Sequence, residues 1–170
     1  MRHLIRSIAG VVVTGLCLFA PASQHADAAT STTTFNVQIT ITNGCTISSA
    51  TAMNFGSVGV ISVLGVSATS TITVVCTLLA PYNIGLDKGI GAGASLATRL
   101  MTSAASNTVS YSLYSDLTHL LMWGDVIATN TLASVGLGVG QPFIVYGFVP
   151  SQTTPPAGVY NDTVTVTVTF

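Results

Sequence analysis

The sequence contains no glutamate, and charged side chains make up only 5% of its 170 residues. Four Lys and Arg stand against five Asp, so the basic footprint that nucleic-acid binding requires is absent and no nucleic-acid partner is expected. Histidine occurs three times, tryptophan once and cysteine three times, which leaves little material for a catalytic or metal-binding constellation. What the chain has instead is apolar and hydroxylated: 49% hydrophobic residues, with 25 Thr and 17 Ser. That apolar content excludes a disordered chain, and the Thr enrichment favours strands, because a β-branched side chain fits a pleated surface while its hydroxyl faces water.

The first 28 residues read as a signal peptide. Arg2, His3 and Arg6 form a positive start, Ile8 to Ala20 an apolar run, and Ala26-Asp27-Ala28 places small residues at the positions a signal peptidase inspects. Cleavage is expected after Ala28. The apolar run is too short to cross about 30 Å of hydrocarbon with margin, and no later stretch reaches 18 apolar residues. Leu16 before Cys17 argues against lipidation, since a small residue is expected there.

Removal of that segment leaves Ala29–Phe170 with Lys88 and Arg99 against Asp87, Asp116, Asp125 and Asp162, a net charge of −2. It also leaves Cys45 and Cys76, an even pair in an exported chain, expected to form one structural disulfide. A metal or redox pair would call for C-x-x-C spacing or a nearby His, and neither is present, so no metal and no cofactor are expected.

Apolar and polar residues alternate with a period of two through this part, the signature of half-buried strands. Thr34 to Ile41 puts Phe35, Val37, Ile39 and Ile41 on one face. Further strands are expected over Thr46–Ser48, Val58–Val63, Ser70–Leu78, Tyr82–Leu86, Val109–Tyr114, Leu120–Trp123, Pro142–Val149 and Val159–Phe170, separated by Gly-, Ser-, Asn- and Pro-rich breaks. Short strands at this spacing with one disulfide favour an all-β, immunoglobulin-like sandwich. The last strand places Tyr160, Asp162, Val164, Val166, Val168 and Phe170 on one face, and the sequence ends there without a following strand. The sandwich is therefore expected to be incomplete, while Thr30–Thr42 offers a spare strand at the other end. Asn43-Gly44 leaves a second possibility open, because this dipeptide is also a strong hairpin signal that would pair Thr34–Thr42 with Cys45–Ser48 in the same chain.

Enzyme chemistry has no foothold. His119 is the only His after residue 28, the Asp residues form no carboxylate pair, and Gly89-Ile90-Gly91-Ala92-Gly93 lacks the G-x-G-x-x-G spacing and its strand-to-helix setting. No G-x-S-x-G elbow occurs. Trp123 is expected in the core, with sugar stacking as the alternative.

Several segments, in order, resemble the spore coat protein U family, which includes major subunits of archaic chaperone-usher pili. These are Gly44-Cys45-Thr46, Asn54-Phe55-Gly56, Cys76, Tyr111-Ser112-Leu113-Tyr114-Ser115-Asp116, Trp123-Gly124, Tyr146-Gly147 through Pro150, and Gly158-Val159-Tyr160 followed by Asp162-Thr163-Val164-Thr165-Val166 to Phe170. The resemblance spans essentially the whole of Ala29–Phe170. It implies a signal peptide over 1–28, a donor strand and linker over 29–43, and an incomplete immunoglobulin-like pilin domain over 44–170, completed by a strand from a neighbouring subunit. Thr32 to Ile41 would be the donor, with Phe35, Val37, Ile39 and Ile41 filling a neighbour's groove. Val164, Val166, Val168 and Phe170 would line that groove and meet the chaperone. The implied partners are identical subunits, a periplasmic chaperone and an outer-membrane usher. The implied destination, reached through the periplasm, is a surface pilus used for adhesion and biofilm formation. A self-complete secreted binding module, such as a small adhesin or lectin, and a non-pilus coat protein are the alternatives.

Overall fold

A computed structural model describes residues 28–170 of the chain; the signal-peptide reading falls on residues outside this range except for Ala28. The described residues form strands and loops with no helix: β1 (Cys45–Ala50), β2 (Val66–Cys76), β3 (Pro81–Leu86), β4 (Arg99–Thr102), β5 (Thr108–Tyr114), β6 (Leu132–Val135), β7 (Gln141–Val149) and β8 (Val166–Thr169).

Two antiparallel sheets result, one ordered β1-β2-β7-β5-β4 and the other β6-β3-β8. Period-two alternation decides which side chains meet between them. From the larger sheet come Ile72, Val74 and Cys76 of β2, Val109, Tyr111 and Leu113 of β5, and Val145 and Val149 of β7; from the smaller come Tyr82, Ile84 and Leu86 of β3. Trp123 closes this core with no exposed surface, its indole N–H donating to the Ile84 carbonyl at 2.8 Å. Its burial leaves no ring face for a sugar. Gly85 sits at a close approach: a Cβ there would lie 3.1 Å from the Asp125 Cα.

The fold is the expected all-β, immunoglobulin-like sandwich, with differences in individual strands. Val58–Val63 and Leu120–Trp123 are loops rather than strands, apart from a single bridge between Met122 and Tyr114. Gly56 and Gly65 adopt positive φ on either side of the first loop, and a Cβ on Gly65 would meet Phe148 and the Val149 carbonyl at 2.6 Å, so the chain turns there instead of extending. The last strand is regular only over Val166–Thr169; upstream, Asn161 makes an isolated bridge to Thr102. The short strands β4 and β6 were not expected from the sequence.

The largest difference concerns Thr34–Ile41. Among the described residues no strand precedes Cys45, and Phe35, Val37, Ile39 and Ile41 are 71–85% exposed. The Asn43-Gly44 hairpin does not form. A type I′ turn needs positive φ at both central residues, and neither has it. Gly44 instead exchanges hydrogen bonds with Thr77, donating its N–H to Oγ1 at 3.1 Å and accepting the Thr77 N–H at 2.9 Å. Thr40–Phe170 forms one compact unit, and the described residues ahead of Thr40 fall outside it.

Candidate functional site

Two sheet edges define the site. Among the described residues β1 pairs only with β2, and β8 only with β3, so each keeps one row of backbone N–H and C=O groups outside those ladders. Past the end of β1 and ahead of the start of β8, between residues 50–55 and 160–166, lies a cleft of about 530 Å³. One wall runs from Ala50 to Phe55, the continuation of β1; the other carries Tyr160, Asp162, Val164 and Val166. The floor is the core itself, with Ile72, Leu86, Tyr111, Leu113 and Val145 at its base.

Alternation explains why the second wall is only half finished. Val164, Val166 and Val168 point inward and pack against the core, yet all three remain half-buried. Of the four residues expected to line a groove, Val164 and Val166 line this cleft. Val168 lies outside its lining, half-buried against the core, and Phe170 is exposed.

The Cys45–Cys76 disulfide is formed, with an S–S distance of 2.03 Å. It joins the first residue of β1 to the last of β2, which are paired in register, and so fixes the edge that walls the cleft.

The cleft's polar end is a network the sequence did not reveal. Tyr111 donates its hydroxyl to Asp162 Oδ2 at 2.7 Å, while Asp162 Oδ1 accepts the Ile90 N–H at 2.8 Å. Asp87 Oδ1 accepts the N–H groups of Gly89 and Thr165, each at 2.9 Å. Burial, followed by the hydrogen bond to Asp162, pushes the Tyr111 phenol above its ordinary pKa, so it remains a neutral donor. Beneath sits Arg99, fully buried, whose guanidinium donates to four backbone carbonyls: Asp87 and Trp123 at 2.8 Å, Leu86 at 3.0 Å and Leu96 at 3.1 Å. The Gly89–Gly93 stretch is thus pinned at its start rather than left free. Arg99, a lone arginine between apolar strand patterns, was the available signal, but its partners are main-chain atoms that no side-chain motif encodes.

This chemistry is structural. The carboxylates accept backbone and phenol hydrogens and hold loops; among the described residues no cluster of His, Cys and Asp could hold a metal. His119 lies apart, stacked on Phe148 at 4.9 Å and beside Tyr114 at 5.1 Å, a packing residue.

Comparison with known proteins points the same way. The Spore Coat Protein U domain family matches residues 31–167. The chain is 39% identical to "Protein U" of Myxococcus xanthus over an alignment of 184 residues that covers the whole of both. Among solved structures, a chain in the crystal structure of the CsuC-CsuE chaperone-tip adhesion subunit pre-assembly complex, from archaic chaperone-usher Csu pili of Acinetobacter baumannii, has a similar fold. The TM-score is 0.58 at 23% identity; the match covers 77% of this chain and 40% of that one.

Proposed function

This chain belongs to the Spore Coat Protein U family, and from that premise we propose that it is a structural subunit, not an enzyme, that polymerises by strand donation. Residues 32–41 of one copy enter the cleft between residues 50–55 and 160–166 of the next and run on beside β8. The observation that carries this reading is the coexistence, in one chain, of an exposed apolar-faced segment and a cleft with an apolar floor between residues 50–55, which continue β1, and residues 160–166, which lead into β8.

Matching geometry supports it. A strand added beside β8 would find main-chain donors and acceptors in a row, the recognition mode in which backbone bonds orient the segment and alternate side chains fill the space below. Phe35, Val37, Ile39 and Ile41 recur every second residue, as do Val164, Val166 and Val168. Full burial of each such side chain is worth about 1.5–3 kcal/mol. Before exchange the same surfaces are an aggregation hazard, which supports a periplasmic chaperone that covers β8 and Phe170, and an outer-membrane usher that releases the subunit into the fibre. The organisation that follows is a signal peptide over 1–28, donor and linker over 29–43, and acceptor domain over 44–170, the product being a cell-surface pilus that serves adhesion and biofilm formation.

The family's spore-coat designation supports a second reading, in which the same exchange builds a coat layer. One experiment tests both. The full chain should give SDS-resistant ladders that collapse on boiling, and a chain lacking 29–42 should stay monomeric while still binding chaperone. Ladders that persist in the deletion would overturn strand donation; electron microscopy of the full chain then separates fibres from layers.

A further inference from the structure

Chain departure from the sandwich occurs at a fixed point. Thr77 holds residues 42–44: its N–H donates to the Gly44 carbonyl at 2.9 Å, its hydroxyl is shared between the Thr42 carbonyl at 3.2 Å and the Gly44 carbonyl at 3.3 Å, and the Gly44 N–H donates to its Oγ1 at 3.1 Å. Directly after Thr77 come Leu78 and Leu79, and across from them lies the β6–β7 turn with Leu137 and Val139. With Val135 these five side chains are 48–76% exposed.

This patch is rigid. The two loops are bonded to each other by Leu79 N–H to Gly136 O at 2.8 Å, Gly136 N–H to Ala80 O at 2.8 Å, and Gly138 N–H to Cys76 O at 3.1 Å. Leu79 also stands at φ 64°, a left-handed conformation unfavourable for a bulky side chain, and it gains no burial within its own chain in return. An apolar residue kept in a strained and exposed position points to a contact outside the chain.

We propose that this collar of Leu78, Leu79, Val135, Leu137 and Val139 is a second docking surface for another copy of the chain, the copy whose cleft has taken residues 32–41. The inference rests on strand donation and adds to it a direct contact between the two bodies. The chain itself supplies the reason. Ile41 would lie inside the neighbour, and the next residue, Thr42, is tied to Thr77. Consecutive Cα atoms are about 3.8 Å apart, so no spacer remains to keep a layer of water between the neighbour's cleft and the collar. None of the five side chains carries charge, so the contact should withstand salt.

A photo-activated benzophenone amino acid placed at Leu137 tests this in the polymerised full chain, with Leu120, an exposed leucine on a separate loop, as the control site. Irradiation should convert the Leu137 ladder into species that survive boiling and leave the Leu120 ladder boilable. A parallel variant, Leu79→Asn with Leu137→Ser, should keep its ladder and show a broader spread of angles between successive subunits in micrographs. Ladders that form without a Leu137 cross-link and with an unchanged angular spread overturn the collar alone. An unmodified chain that forms no ladder overturns strand donation and the collar with it.

Discussion

Arg99 is one of the two basic residues of Ala29–Phe170 and the one fully buried inside the sandwich. Burial lowers its pKa, opposed by the Asp87, Asp125 and Asp162 carboxylates, but an arginine stays charged. Replacement by methionine would fill much of the volume and strand four carbonyls without donors, so Arg99→Met should lower unfolding free energy by about 3–5 kcal/mol in urea titration. Asp87 makes a second, pH-dependent case. Burial alone would raise its pKa, but hydrogen bonds from Thr165 and Gly89, helped by Arg99, outweigh it and hold the carboxyl below the usual carboxylate range. A lowered folded-state pKa means that this contribution is complete above the unfolded value, about pH 4, and lost as pH falls through the folded value. The urea midpoint should therefore fall below pH 4, and Asp87→Asn should flatten that part of the profile; an identical profile in the variant would exclude Asp87 as a source. Sequence reading recognised the charges but not their use, because side-chain spacing carries no information about carbonyls and amides brought together from 86, 87, 96, 123 and 165.

At the level of elements, alternation located β2, β3, β5 and β7 well, since each carries three or more inward residues and any slip of one residue would turn them to water. It missed β4 and β6, four residues each, whose patterns are too short to show a period. It overread Val58–Val63, where positive-φ glycines bend the chain. Thr34–Ile41 is the instructive case: the pattern is as regular as in any core strand, yet a pattern specifies only a face and not the molecule that will cover it. In this chain β2 is already occupied on both sides, by β1 and β7, so the segment has no ladder to join there. The resulting separation of roles gives a clean prediction. Ile39→Asp places a carboxylate where the isolated subunit exposes the side chain, so its urea stability should change by less than about 0.5 kcal/mol, as for ordinary surface sites. In the polymer that carboxylate would be buried without a partner, and the SDS-resistant ladder should disappear. A substitution that unfolds the subunit would show instead that residues 32–41 complete their own sandwich.

For the whole molecule, the question is why a sandwich with an open side holds together at all. The core between the two sheets is continuous from Cys76 to Trp123, the disulfide restrains the β1 edge, and the Arg99 and Asp162 networks close the far end of the cleft. The open cleft is therefore a deficit along one seam and not a failure of the core, so on the strand-donation reading the chain should be foldable yet below its attainable stability. Supplying the seam from outside should recover it. A chain lacking 29–42, mixed with a synthetic peptide of residues 32–42, should gain stability by mass action, about 2.7 kcal/mol when free peptide reaches 100 times its Kd. For a domain of this size, that corresponds to a rise of roughly 5–15 °C in Tm. The same peptide carrying Ile39→Asp should give little or no rise, which separates insertion into the cleft from general stickiness of an apolar peptide. If both peptides raise Tm equally, the cleft does not read the alternating face; if neither does at saturating concentration, the open side is sealed by something other than this segment.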